Sequence, residues 1–186
     1  MTYAPAPVQR MFPSRTWARE ALVMVGAVVG IALLAQLAIP MGPVPITGQT
    51  LGVLLVGGLL GSRRGVLAIL FYLGVGTLGA PVFALGMAGP QVLLGPTGGY
   101  LFGFLLAAGT VGLAGEHGFL RDFAPRVAAM AIATALIFAL GLAWLAPFVP
   151  EGTLLGYGFW PFLPGALIKI GLAALILTSR RPAARS

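Results

Sequence analysis

Residues 21–39 read Ala-Leu-Val-Met-Val-Gly-Ala-Val-Val-Gly-Ile-Ala-Leu-Leu-Ala-Gln-Leu-Ala-Ile, a run of 19 positions without a charge. At about 1.5 Å per helical residue the run spans about 28 Å, close to the ~30 Å hydrocarbon thickness of a bilayer. It is longer than the apolar core of a secretory leader and ends without an Ala-x-Ala exit, so it predicts a retained membrane helix. Before it, residues 1–18 are polar and contain Pro, Arg10 and Arg15, and read as a cytoplasmic tail. After it, Pro40-Met41-Gly42-Pro43-Val44-Pro45 cannot be helical throughout. Five further apolar segments follow, near 50–60, 66–78, 100–113, 127–146 and 160–177. The 50–60 segment is short, so it either starts in the preceding loop or is tilted. Between the segments lie the basic turn Gly61-Ser62-Arg63-Arg64-Gly65, the polar loop 115–126 and the loop 147–158.

Composition agrees. Of 186 residues, 59% are apolar and 8% charged, and the mean hydropathy is +1.00. A soluble globule of this size cannot bury so much apolar side chain. Six helices of about 20 residues use about 120 positions, which leaves no room for a separate soluble catalytic domain. The chain lacks cysteine, which removes disulfides and thiolate chemistry. The net charge of +7 is a topology signal rather than a nucleic-acid footprint. All ten arginines fall in segments that a six-span chain with an inner amino terminus keeps on the cytoplasmic side: Arg10, Arg15, Arg19, Arg63, Arg64, Arg121, Arg126, Arg180, Arg181 and Arg185. The opposite loops carry only Glu151. The expected architecture is an all-α integral membrane protein with six transmembrane helices and both termini cytoplasmic. Residues 1–18 form a tail, 19–178 the membrane domain, and 179–186 a basic tail. The expected location is the plasma membrane, as a multi-pass protein surrounded by lipid.

The eleventh basic residue, Lys169, lies inside the last span. It is about 12 Å in from Pro161 and about 16 Å from Arg180 along a helix. A charge at that depth costs at least about 2.5–3.5 kcal/mol and usually faces a protein interior or a substrate path. Snorkelling to the headgroups is the competing reading, over a long reach. No acidic residue falls within a predicted span, so the expected counter-charge is an anionic ligand, with Lys169 binding a substrate carboxylate. Pro164 and Gly165 just before it weaken a turn and free backbone groups, which membrane proteins tolerate mainly beside a cavity. Trp160 fits the outer aromatic belt or the cavity wall equally well.

The stretch 79–99 is an apolar Gly/Pro-rich outer loop between the third and fourth helices, of a length typical of binding loops; a re-entrant packing loop is its bland alternative. Its glycines permit close backbone approach, and Phe83 or Tyr100 offers a cover for an apolar ring. Thr47, Gln49 and Thr50 supply neutral hydrogen-bonding groups, although Thr47 or Thr50 equally suits a helix cap. Gly26 and Gly30 form a small-x-x-x-small pattern that lets a second helix approach, within the chain or from another protein. The single His117 has no clustered partners, so no metal site is expected, and no catalytic residues or cofactor either. The chain has no Walker phosphate loop, so ATP hydrolysis would fall to partners.

Pro43-Val44-Pro45-Ile46-Thr47-Gly48-Gln49-Thr50, Gly61-Ser62-Arg63-Arg64-Gly65, Gly79-Ala80-Pro81-Val82-Phe83, Gly95-Pro96-Thr97-Gly98-Gly99-Tyr100 and Pro161-Phe162-Leu163-Pro164-Gly165-x-Leu167-Ile168-Lys169 resemble the BioY family, the biotin-binding S components of energy-coupling factor (ECF) transporters. The resemblance runs from about residue 20 to 178. It implies six helices, a biotin site near the outer face, and partnership with a transmembrane T component and two cytoplasmic ATPases. It also implies that Gly26 and Gly30 face the T component. The family commonly has Asp where this chain has Ala166, which leaves Lys169 without a neighbour on its turn. Under this resemblance Lys169 pairs the biotin carboxylate. Thr47, Gln49, Thr97 and the backbone near Gly89 and Gly98 serve the ureido group, and Phe83, Tyr100, Trp160 and Phe162 pack the rings. An S component for another small carboxylated vitamin, or a ligand-free membrane assembly subunit, are the alternatives.

Overall fold

A computed structural model describes residues 17–178. The tails with Arg10, Arg15, Arg180, Arg181 and Arg185 lie outside the described residues. One helix overlaps each of the six apolar segments: α1 Trp17–Gln36, α2 Gln49–Leu60, α3 Ser62–Thr77, α5 Gly98–Glu116, α6 Phe123–Leu145 and α8 Leu163–Thr178. By length and composition four helical stretches can cross a membrane, Trp17–Gln36, Gly98–Glu116, Phe123–Phe148 and Leu154–Thr178; Gln49–Leu60 is apolar but shorter.

The regions expected as plain loops carry structure of their own. Residues 79–99 contain a 3-10 turn, Ala84–Gly86, and a short helix, α4 Pro90–Leu94. A second short helix, α7 Leu154–Gly158, precedes a 3-10 turn, Trp160–Phe162, that leads into α8. Between α1 and α2 the strands β1 Ala38–Ile39 and β2 Ile46–Thr47 pair antiparallel, with Ala38 opposite Thr47. Several boundaries also differ from expectation. Helix α1 begins at Trp17, inside the expected tail, α3 at Ser62, inside the expected basic turn, and α6 at Phe123, inside the expected polar loop, while α5 runs on to Glu116. At the three starts charged residues join the first turn, where the backbone needs no apolar side chain.

Helix α5 is the hub, packed on α2, α3 and α6. Its close approach to α6 depends on the absence of side chains: a Cβ on Gly103 would lie 2.8 Å from Ile137 Cα, and one on Gly99 2.3 Å from Trp144 Cβ. Association of helices in lipid relies on this kind of tight contact, because apolar surface alone gains little there. Large apolar side chains point outward instead, including Leu22 and Leu33 on α1, Leu67 and Phe71 on α3, and Leu167, Ile168 and Leu175 on α8.

The two ends of the bundle differ. At one end α1 and α3 are joined by an ion pair between Glu20 and Arg64. There Glu116, closing α5, accepts hydrogen bonds from Ser62, which opens α3. Arg126, one of the arginines read from the sequence as a topology signal, is 1% exposed. Its guanidinium donates to the carbonyls of Leu120 (2.8 Å), Ala174 (2.9 Å) and Arg121 (3.0 Å) and to the Thr178 hydroxyl. It thereby ties the α5–α6 loop to the last turn of α8. The other end, among the described residues, carries the single charge Glu151 at its surface and holds the cavity described next.

Candidate functional site

A cavity opens between the start of α2, the 79–89 loop, the start of α5, the second half of α6 and the first two turns of α8. Together with its mouth it has about 670 Å³ of atom-free space. Seven of the expected site residues line it: Lys169, Gln49, Thr47, Phe83, Thr97, Tyr100 and Phe162.

Three expected residues do not. Gly89 has φ +90°, a left-handed conformation that favours glycine, and its N–H is already donated to the Gly76 carbonyl at 2.8 Å. The Gly98 N–H is donated to the Gly95 carbonyl at 3.0 Å, and a Cβ there would meet the Leu93 carbonyl oxygen at 1.9 Å. Both glycines thus shape the backbone around α4, and neither has its N–H to offer. Trp160 is 58% exposed and packs edge-on against Phe159 outside the cavity, which favours the aromatic-belt reading over the wall.

One side of the cavity is aromatic. Tyr100 and Phe162 stack with centroids 6.0 Å apart, and Phe138 meets Phe162 edge-on at 6.4 Å. The Tyr100 hydroxyl donates to the Gly158 carbonyl at 2.8 Å, which pins α5 to α7. Across the cavity, Phe83 is held by its loop: Gln36 of α1 donates to the Phe83 carbonyl (3.1 Å) and accepts from the Gly86 N–H (3.0 Å). Leu85 between them has φ 58°, in the left-handed region that costs a non-glycine residue energy. The Gln36 clasp offsets that cost.

The polar groups are few. Thr47 donates to Gln49 Oε1 at 2.8 Å, and Gln49 Nε2 donates to the Tyr72 hydroxyl at 2.7 Å. The Thr97 hydroxyl donates to the Val92 carbonyl at 3.0 Å. Thr50 Oγ1 is buried without a hydrogen-bond partner among the described residues. Thr50 does not cap α2, whereas the Thr47 hydroxyl accepts from the Gln49 N–H, the first of that helix, at 3.3 Å. Lys169 is half-buried, and no acidic residue lines the cavity with it. The wall also includes Thr134, Ile137 and Phe138 of α6, Met87 of the loop, and Ala166. Of these only Ala166 and its missing carboxylate stood out in the sequence. An apolar membrane helix gives no periodic sign of which face is inward, since lipid is as apolar as a core.

Gly26 and Gly30 are not part of this cavity's wall. They line a shallow apolar groove between α1 and α2, with Ala27, Leu34, Gly52 and Leu55. Nothing lies within 4 Å of a Cβ placed on either glycine. Groups of three or more acidic, His or Cys side chains fit to hold a metal are absent among the described residues.

Residues 7–186 match the BioY family model. The chain is 42% identical over 157 residues to the biotin transporter BioY of Thermotoga maritima, covering 84% of this chain and 87% of that one. It is 40% identical over 156 residues to the biotin transporter BioY2 of Lactococcus lactis, covering 83% and 85%. The fold superposes with a TM-score of 0.79, at 26% identity, on the crystal structure of the S component for biotin from an ECF-type ABC transporter, covering 89% of this chain and 94% of that one. The chain belongs to the BioY family.

Proposed function

We propose that this chain is the biotin-binding S component of an ECF transporter, a transport subunit rather than an enzyme, which captures biotin in the cavity and delivers it inward. The observation that carries the reading is Lys169: an ammonium in the wall of a largely apolar cavity with no carboxylate beside it. A buried charge without a partner is costly, so the site favours a ligand that brings an anion. Biotin brings a carboxylate at the end of an aliphatic chain, an apolar bicycle and a polar ureido group. Phe83, Tyr100 and Phe162 take the rings. Gln49, Thr47, Thr50 and Thr97 surround the polar head, and Lys169 pairs the carboxylate.

The six long helices form six spans of the plasma membrane, residues 19–178, with both ends cytoplasmic. The clustering of Arg19, Arg63, Arg64, Arg121 and Arg126 at the end away from the cavity supports this orientation. Its sequence has no Walker phosphate loop, so the subunit works with a T component and two ATPases, and the open groove at Gly26 and Gly30 suits a small-residue contact with the T component.

The test is equilibrium binding of biotin and of biotin amide to the purified full chain in detergent, for the wild type and Lys169→Ala. The expected result is one biotin per chain and a loss of at least about 30-fold for biotin in the variant, as removing a buried charge partner costs roughly 2–5 kcal/mol. The amide, lacking the charge, loses little. Equal losses for both ligands remove Lys169 from the carboxylate role. Binding of a different carboxylated vitamin in place of biotin overturns the assignment of substrate.

A further inference from the structure

Tyr72 of α3 is absent from the cavity wall and completely buried. Its ring meets Phe83 edge-on, centroids 5.5 Å apart at 89°. Its hydroxyl lies between two partners: it donates to the Val82 carbonyl at 2.9 Å and accepts from Gln49 Nε2 at 2.7 Å. A carbonyl oxygen can only accept, so the single Tyr72 proton is committed to Val82. The Gln49 group that faces Tyr72 must then be the NH2 end of the amide. The amide oxygen turns to Thr47, whose hydroxyl donates to it at 2.8 Å. The Gln49 backbone N–H donates to Thr47 Oγ1 at 3.3 Å, which keeps the threonine proton directed at the amide. Every link in this chain admits one direction, which settles the choice between the two amide orientations.

The consequence lies in what is left over. Gln49 is 5% exposed and its residual surface is in the cavity wall. One N–H of Nε2 and one lone pair of Oε1 have no partner among the described residues. The amide thus offers a ligand one donor and one acceptor in a fixed arrangement, the complement of an N–H beside a C=O. An ordered donor placed against the wrong group leaves buried polar atoms unpaired, and this is the strongest form of discrimination a site can build from neutral groups.

Resting on the biotin reading above, we infer that Tyr72 is a positioning residue for substrate selection: it holds the Gln49 amide so that Nε2–H meets the ureido carbonyl oxygen, which makes the site select a ligand with an acceptor at that atom and reject one with a donor. Tyr72 touches no ligand itself and acts through Gln49.

The probe is the pair biotin and 2-iminobiotin at neutral pH, where the imino analogue presents a protonated nitrogen, a donor, in place of the ureido oxygen. The full chain in detergent is titrated with each, for the wild type, Tyr72→Phe, Thr47→Val and Gln49→Glu. Tyr72→Phe keeps the ring and its contact with Phe83 but frees the amide to turn over. The expected result is that the wild type prefers biotin, and that the preference falls at least fivefold in Tyr72→Phe. Thr47→Val, which cuts the chain at its other end, is expected to lower it likewise and carries the test should the first variant not fold. Gln49→Glu, with acceptors only, shifts the preference toward 2-iminobiotin. A loss of overall stability alone would leave the ratio of the two affinities where it was. An unchanged ratio in Tyr72→Phe or Thr47→Val, with biotin still bound by the wild type, overturns the inference and leaves the biotin reading intact. A wild type that binds neither ligand overturns both.

Discussion

Glu116, the last residue of α5, caps Ser62, the first residue of α3. Its Oε1 accepts from the Ser62 N–H at 2.8 Å and from the Ser62 hydroxyl at 2.9 Å, and Oε2 lies 3.0 Å from the same hydroxyl. A carboxylate here satisfies an orphan N–H and complements the positive end of the α3 dipole. Glu116→Ala removes both effects and is expected to destabilise the chain by about 1–2 kcal/mol, the range for a lost helix cap. Biotin affinity should stay within about twofold, because Phe104, the deepest α5 residue in the cavity wall, is about 18 Å away along the helix. Thermal unfolding with and without biotin checks both statements; a large loss of affinity would show that the two ends of α5 are coupled.

Arg126 offers a sharper case at the same end. Its guanidinium serves three carbonyls and a hydroxyl from the α5–α6 loop and α8. A lysine has a single ammonium and cannot reach acceptors spread over two elements in that planar pattern. Arg126→Lys is therefore expected to lose about 2–4 kcal/mol of stability despite keeping the charge, as hydrogen bonds from a charged donor are worth roughly 1.5–3 kcal/mol each. If Arg126→Lys unfolds at the wild-type temperature, the charge alone matters.

The contrast between these residues shows what a sequence of this kind reveals. The apolar segments locate all six longer helices, since 11- to 20-residue runs with at most one charge have few other uses in lipid. The arginine pattern separates the two ends. Neither signal tells that Arg126 turns inward, because position in a polar loop and burial under that loop look alike in one dimension. The cavity wall is legible where polar or aromatic residues interrupt an apolar background, as at Gln49, Thr97 and Lys169. The α6 wall of Thr134, Ile137 and Phe138 is not, for there an inward apolar face and a lipid-facing one have the same composition. Gly89 and Gly98 stand out in sequence as points where backbone could come close to a ligand, and in the fold they let α4 pack on α3 and α5.

Gly103 connects packing to binding. A methyl there would sit 2.8 Å from Ile137 Cα, and Ile137 lines the cavity. Backbone cannot yield as a side-chain tip does, so α5 and α6 must separate. Gly103→Ala is expected to cost about 1–3 kcal/mol, the usual penalty of overpacking, and to weaken biotin binding several-fold by widening the aromatic side. Gly26→Ala, where nothing lies within 4 Å, is the matched control and should change neither quantity in the isolated chain.

Lys169 should trade stability for function. Lys169→Met replaces a half-buried ammonium with an apolar side chain of similar length. The ligand-free chain is expected to gain about 1 kcal/mol, since removing an uncompensated buried charge is often stabilising. The stabilisation that biotin confers on the wild type should nearly vanish in the variant, because a ligand stabilises only in proportion to its binding. Unfolding temperatures measured with and without biotin give both numbers in one experiment. A less stable ligand-free variant would mean that the ammonium already has a partner within the protein.

Ala166 sits one turn before Lys169 on the same face of α8, in the cavity wall. The Lys169 Nζ folds back over that turn, to 3.9 Å from where a Gly165 side chain would begin. A carboxylate at position 166 is therefore within reach of the ammonium, at the i, i+3 spacing that pairs charges along a helix. Ala166→Asp should neutralise Lys169 internally. The ligand carboxylate then meets a paired charge, and the preference for free biotin over its amide is expected to shrink about tenfold, or ~1.4 kcal/mol. At the same time the new carboxylate offers an acceptor to the ligand, so affinity for the amide should rise. Titration of both ligands against the variant separates these effects. An undiminished preference for the free acid would show that the Lys169 ammonium points away from position 166 when the ligand is bound, and that its pairing with the carboxylate is set by α8 alone.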